Sequence, residues 1–185
     1  MTLEQWLPRF LLHQQPARAS LNTANAAVML LIWQEQQQLQ LLLTRRAMHL
    51  RHHPGQISFP GGKIEAGETA LAAAIRESEE EIGVPAMQIR VLGSLPGIST
   101  SSGFSVSPWL GLLPCRPQLK LQQSEVADAF SLPLHYALSQ SERRARWVSQ
   151  PYQHGQLHFL PYQGQLIWGA TAAILHQLAD QIQAP

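Results

Sequence analysis

Charge and sulfur are both scarce in this chain. Only 14% of its 185 residues are charged, and Cys115 is its single cysteine. One cysteine excludes an intrachain disulfide and a cysteine zinc cluster, and it fits a reducing compartment. Cys115 itself reads as a small, partly buried hydrophobe. The formal net charge of +1 excludes bulk attraction to nucleic acid. No window reaches the roughly 18 uninterrupted apolar residues of a membrane span. Glu4, Pro8 and Arg9 interrupt any early apolar run, so no secretory signal is expected, and the cytosol is the default compartment. His49, His52 and His53 lack the i,i+4 pairing of a helical zinc motif and read as solvated loop side chains. There is no internal repeat and no dividing linker. Residues 1–185, with a hydrophobic content of 45%, therefore read as one domain with a substantial core.

What the chain does have is concentrated between Gly61 and Val84. Six of the twelve acidic residues lie between Glu65 and Glu81, and four of those lie within Glu77–Glu81. Like charges at i,i+4 repel by a few tenths of a kcal/mol, so a helix gains nothing from this crowding. Thr69 is placed to cap a helix over Leu71 to Ile82, and Gly83 to stop it. At about 100° per residue, Leu71, Ile75, Ser78 and Ile82 share the packing face. Glu77, Glu80 and Glu81 share the opposite face, while Glu79 points sideways to solvent and Arg76 lies near the acidic edge. Three convergent carboxylates form a hard-oxygen site suited to Mg²⁺ or Mn²⁺. A solvated acidic face is the plainer reading of such a run taken alone.

The upstream segment Thr44 to Gly62 places Arg45, Arg46 and Arg51 and the three histidines around Gly55, before a strand Gln56–Phe59. Basic groups beside a carboxylate site suit an anionic substrate. Pro60-Gly61-Gly62 reads as a tight turn whose backbone, free of side chains at Gly61 and Gly62, allows close approach to a ligand.

The spacing from Gly62 through Glu68 to Arg76-Glu77-Ser78-Glu79-Glu80-Glu81-Ile82-Gly83-Val84 resembles the Nudix box of hydrolases acting on nucleoside diphosphates linked to another group. Ser78 departs from the pattern, at a usually aliphatic position. Leu42 to Gly62, with Arg46, Ala47, Arg51, Gly55 and Phe59 at matching places, is similar to the additional motif of coenzyme A pyrophosphatases within that superfamily. The resemblance implies an α/β/α sandwich, a mixed sheet between helices, and a small-molecule substrate. It implies hydrolysis of coenzyme A or a derivative to 3′,5′-ADP and 4′-phosphopantetheine. Another nucleoside diphosphate derivative, such as ADP-ribose, NADH or a nucleoside triphosphate, is the alternative, followed by a non-catalytic nucleotide sensor. It also implies metal ligation by Glu77, Glu80 and Glu81, with Mg²⁺ or Mn²⁺ as cofactor. Arg76 and Glu68 would brace the loop, and Glu80 or Glu125 would accept a proton from water. Arg46, Arg51, Gly61 and Gly62 would meet the substrate, and an arginine cluster would suit the 3′-phosphate of coenzyme A.

The remaining chain fills in around that centre. Thr2 to His13 reads as an amphipathic helix despite Pro8, with Leu3, Trp6, Leu7, Phe10 and Leu11 as its stripe, and Gln14 to Asn25 as a loop. Ala26–Trp33 and Leu39–Thr44 are apolar strands around a polar turn, Gln34 to Gln38. Gln88–Leu95 and Val106–Leu113 are further strands, the second marked as an edge or bulge by Pro108. Pro96 to Ser107, with Phe104, is a loop suited to shaping a pocket. Pro133–Leu138 reads as a helical turn, and Ala145–Val148 with Gln156–Pro161 as a pair turning at Gly155. Arg143, Arg144 and Arg146 form a second basic group. Leu166 to Ile182 reads as a closing helix. Oligomeric state is left open, a homodimer among the options.

Overall fold

The computed structural model describes residues 1–13, 24–100, 103–150 and 153–183. Most of the expected loop from Gln14 to Asn25 lies outside them. The chain opens with α1 (Leu3–Leu12), then the hairpin β1 (Ala26–Glu35) and β2 (Gln38–Arg46). β3 (Ile57–Ser58), β4 (Gly61–Lys63) and α2 (Ala70–Ile82) follow. Next come β5 (Arg90–Ser94), β6 (Ile98–Ser99), β7 (Ser105–Leu112), β8 (Val126–Pro133) and α3 (Leu134–Leu138). β9 (Arg144–Gln150), β10 (Gln153–Tyr162), β11 (Gln165–Trp168) and α4 (Ala170–Gln183) complete it.

The main sheet runs β3-β2-β1-β7-β5, with β4 on β1, β6 on β7 and β8 on β2. It is mixed: β1 is antiparallel to β2 and parallel to β7. β1 and β2 are almost continuously apolar because both of their faces are covered. Ala27, Met29, Leu31 and Trp33 pack on the α2 side, with Ala73, Ala74 and Ile82. Ala26, Leu30 and Ile32 pack on the other side with Trp6 and Phe10 of α1, Leu134 of α3 and Ile174 and Leu178 of α4. Each fully buried aliphatic side chain contributes about 1.5–3 kcal/mol relative to exposure. This is the helix–sheet–helix sandwich expected from the sequence.

Several local readings change. The β1–β2 turn is tighter than its run of polar residues suggests: only Gln36 and Gln37 form it, at φ of 46° and 66°. Gly61–Lys63 is a short strand paired to β1 rather than a tight turn. β7 is interior, so Pro108 marks no edge. Its ring is buried, its carbonyl still accepts Leu95 N–H at 3.0 Å, and the register irregularity falls on β5 at Val91/Gly93. Gly155 lies inside β10 opposite Val148, so it is not the turn. Gly169, at φ of 65°, divides the expected closing helix, and Ile167 belongs to β11. Leu11 is exposed, leaving Trp6 and Phe10 as the buried part of the α1 stripe. Cys115 is exposed and free rather than partly buried.

α2 ends on Gly83 in the left-handed conformation, φ 71°, where its N–H donates to Glu79 O. A Cβ at this position would stand only 2.8 Å from Lys120 Cβ. Gly83→Ala meets both the conformational cost and that contact, together about 1–2 kcal/mol. A thermal melt should show Tm lowered by about 3–6 °C.

Candidate active site

Helix α2 presents its acidic run to the β3–β4 end of the sheet. Thr69 Oγ1 accepts Ala72 N–H at 3.2 Å and fixes the first turn. The helix is rotated from the expected phase. Ala73, Ala74, Ser78, Glu81 and Ile82 are buried, while Leu71 and Ile75 are only partly covered. Glu81 is therefore on the buried side, not on the face opposite Ile82. Small Ala73 and Ala74 let the helix approach the sheet closely, and that approach carries Glu81 inward. Ser78, odd on a packing face, donates its hydroxyl to Ala74 O at 2.7 Å and is fully satisfied there.

Arg76 joins loop and helix. Its Nε and Nη2 donate to the two carboxylate oxygens of Glu68 at 3.0 and 3.1 Å, and Nη2 also donates to Lys63 O at 3.1 Å. Its Nη1 donates to Glu77 Oε1 at 3.0 Å and to Glu80 Oε2 at 2.9 Å. Glu68 in turn accepts Glu65 N–H at 3.1 Å. The forked, planar guanidinium suits this many-sided role better than an ammonium would. These contacts raise the pKa of Arg76 and lower that of Glu68.

Glu77 and Glu81 stand differently. Burial raises the Glu77 pKa despite its contact with Arg76, and the negative charges of Glu80 and Glu125 add to the shift. Burial pushes Glu81 up to about 8, opposed by the Gly61 N–H it accepts at 3.0 Å and reinforced by Glu77 and Glu125. Arg46 is near enough to favour the Glu81 charge. Glu125 is exposed in the turn just before β8, where its carbonyl accepts Ala47 N–H at 2.8 Å. Glu77 and Glu81 thus repel one another where burial disfavours charge, and exposed Glu125 adds to the repulsion.

Of the three carboxylates expected to share a face, Glu77 and Glu81 are sequestered and Glu80 lies toward solvent. The Glu80 side chain is 59% exposed and drawn onto Arg76, because the i,i+4 relation brings those two together on the helix surface. Among the described residues, no group of three or more His, Cys, Asp or Glu stands arranged to hold a metal ion. The donor chemistry nevertheless fits a hard divalent cation. Glu77 and Glu81 are two sequestered carboxylates with too little positive charge nearby, and carboxylate oxygens suit Mg²⁺ or Mn²⁺. Gly62 leaves room for the Glu77 carboxylate: a Cβ there would stand 2.3 Å from Glu77 Oε1. Arg51, His52 and His53 are exposed on the turn after β2. The contact between Gly61 and Glu81 has no signature in the sequence beyond the glycine pair itself.

On the opposite face of the sheet lies a cavity of about 570 Å³, reached by Gly97 to Thr100 and Phe104 of the predicted pocket loop, by Ser58 and Phe59, and by the start of α4. Val28 lines it, and Val28 is the direct β1 partner of Gly61. Cavity and carboxylates therefore meet at one strand pair.

Residues 23–150 match the NUDIX domain family. The chain is 42% identical to the Nudix hydrolase NudL of Photorhabdus laumondii over 186 aligned positions, covering 99% of each chain. It is 40% identical to NudL of Yersinia enterocolitica, covering 98% of this chain and 93% of that one. In fold it is similar to a C. elegans Ap4A hydrolase, with a TM-score of 0.53, 22% identity, and 60% and 80% of the two chains covered.

Because the folded pKa of Glu81 lies above its usual value, its carboxyl holds more proton in the folded chain than in the unfolded one between about pH 4.5 and 8, whereas His176, lowered to about 4 by burial, holds less below about pH 6.5. The two oppose each other below about pH 6.5, so the Glu81 contribution to stability without metal should show as a fall between about pH 6.5 and 8. Melts of chelator-treated protein across the window should show this slope. Glu81→Gln should flatten it, and added Mg²⁺ should restore stability most at the alkaline end.

Proposed function

The chain belongs to the NUDIX domain family, and on that premise we propose that it is a metal-dependent diphosphatase of nucleoside diphosphate derivatives. The observation that carries this reading is the pair of sequestered carboxylates, Glu77 and Glu81, beside the side-chain-free backbone of Gly61 and Gly62. A diphosphate repels an attacking hydroxide, and a divalent cation held here offsets that charge and lowers the pKa of bound water. Glu77 and Glu81 are the principal oxygen donors, with Glu80 as a third. Arg76 and Glu68 keep the helix and its loop in fixed relation, so the donors need little reorganisation when substrate arrives. Glu80 or Glu125 takes the proton of the attacking water. Arg46 and Arg51 offer cations to the phosphates.

Within that class, coenzyme A or one of its thioesters is the narrower substrate reading, giving 3′,5′-ADP and 4′-phosphopantetheine or its acylated equivalent. Its support is the segment Leu42 to Gly62 and the position of Arg46 within electrostatic reach of Glu81. ADP-ribose, NADH and nucleoside triphosphates are the competitors. A non-catalytic sensor is disfavoured because Glu77, Glu80 and Glu81 are all retained.

Purified protein with Mg²⁺ or Mn²⁺ should cleave coenzyme A faster than ADP-ribose or NADH, and chelator should abolish the activity reversibly. Preference for either competitor would overturn the narrower reading while leaving the broader one. Loss of a supporting partner around a metal ligand commonly costs 10- to 100-fold. Glu77→Gln and Glu81→Gln, which remove proposed ligands themselves, should therefore each lower turnover by about a hundredfold or more while the far-UV spectrum is kept. Unchanged rates would remove both from the ligand set.

A further inference from the structure

The three-stranded sheet of β9, β10 and β11 has two unlike faces. One packs on α4. Leu160 and Ile167 are fully buried there in one cluster with Leu175 and Leu178, and the ring centroids of His158 and His176 lie 4.2 Å apart. Arg143, on the same side, is paired with Asp180 of α4 at 3.2 Å. Successive side chains along a strand point to opposite faces, so the neighbours of these residues turn away from α4. Register sets Arg144, Phe159 and Trp168 side by side across the three strands, with Arg146 beside Leu157 and Pro161 beside Leu166. Directly opposed residues of antiparallel strands share a face. The outer face is therefore apolar across β10 and β11 and cationic along β9.

This face is open to solvent. Leu166 is 51% exposed and Trp168 41%, and both arginines are exposed. Large apolar side chains held together on a surface mark a contact with something outside the chain. The arginines give the sign of its charge. Arg144 donates to the carbonyl oxygens of Ser141 and Arg143, which leaves its charge uncompensated. Arg146 forms no ion pair among the described residues. The strands β9, β10 and β11 contain no Asp or Glu. A two-fold partner would present this same face, and it would bury guanidinium groups with no acid to answer them. An anionic bilayer meets both demands. Indole rings settle at the level of the lipid headgroups, and arginine lays its stem along apolar surface while its guanidinium reaches a phosphate.

We propose that the outer face of β9, β10 and β11 docks on the surface of an anionic lipid bilayer, with Trp168 and Leu166 entering the headgroup region and Arg144 and Arg146 engaging lipid phosphates. The attachment is peripheral. It needs no membrane-crossing helix, and none among the described residues is long and apolar enough to be one. It holds whatever substrate the carboxylate site takes. Leu157 and Trp168 also border the cavity, so the docked face adjoins that opening.

The test is co-sedimentation of the full chain with vesicles of equal parts phosphatidylglycerol and phosphatidylcholine, against vesicles of phosphatidylcholine alone. The protein should partition onto the anionic vesicles, and less so as salt is raised. Trp168→Ser should lower the partition coefficient by about tenfold, the worth of one large apolar side chain. Arg144→Gln and Arg146→Gln should each lower it by about fivefold. Trp147→Ser is the control, because Trp147 is 70% exposed but alternates with Arg146 and so belongs to the α4 side of β9. It should leave partition unchanged. All of these positions are exposed, and unchanged thermal melts separate loss of binding from loss of fold. Equal binding to both kinds of vesicle, or binding that Trp168→Ser and the arginine variants leave intact, overturns the proposal. Self-association in sedimentation velocity that Trp168→Ser abolishes gives the face to a second copy and overturns it as well.

Discussion

The backbone hydrogen bond from Gly61 N–H to Glu81 Oε2 ties the strand to the buried carboxylate, alongside the Arg76 contact to Lys63 O. One partner sits on a strand of the main sheet and the other on the helix packed over it. Gly61 is held in place because β4 pairs with β1 and Met29 N–H reaches across to Pro60 O. A side chain at Gly61 would place its Cβ 2.3 Å from Ala27 O and 2.8 Å from Val28 Cγ1. The strand can therefore lie on β1 only as glycine, and only from that position does its amide meet the carboxylate. Burying an ionised group costs several kcal/mol unless something answers its charge. The Gly61 N–H and the Arg46 charge answer it only in part, and burial still holds the Glu81 pKa above the usual carboxylate range.

Arg76 divides the acidic run into two populations. Glu68 receives two of its donors and Glu80 meets it in the open, while Glu77 receives one contact and still remains short of positive charge. Clustered carboxylates lower helix stability slightly, and buried ones lower it further. Their retention on a helix that is otherwise well capped at Thr69 and well stopped at Gly83 is a cost borne outside folding. A divalent cation is the natural counterweight, because it supplies two positive charges to oxygens that the protein leaves under-compensated.

Much of this is legible in the residues. Capping threonine, terminal glycine and good helix formers define the extent of α2 to within a residue, and the apolar runs of β1 and β2 give the central hairpin. Helical phase is less secure. Leu71 and Ile75 outweigh Ala73 and Ala74 on any hydrophobic scale, yet alanine is what permits close packing, so periodicity alone turns Glu81 toward solvent. The Gln36-Gln37 turn lacks the Asn-Gly signal that positive φ favours. Gly155 and Gly169 mislead in opposite senses. One resembles a turn although it pairs within a strand, and the other resembles helix although its positive φ separates β11 from α4. Pairing partners decide such cases, and they lie far away in sequence.

The same topology puts the cavity and the carboxylates on different faces of one sheet. Val28 and Gly61 are register partners, yet Val28 borders the cavity while Gly61 anchors Glu81. A ligand touching both need only cross the end of a two-strand ladder whose spacing is about 4.8 Å. The α2 face concentrates carboxylates, while among the described residues no Asp, Glu, Lys or Arg lines the cavity, so the two surfaces favour different parts of an extended molecule. A substrate that is uncharged at one end and doubly anionic in the middle satisfies both at once. A compact, uniformly charged one satisfies only the first.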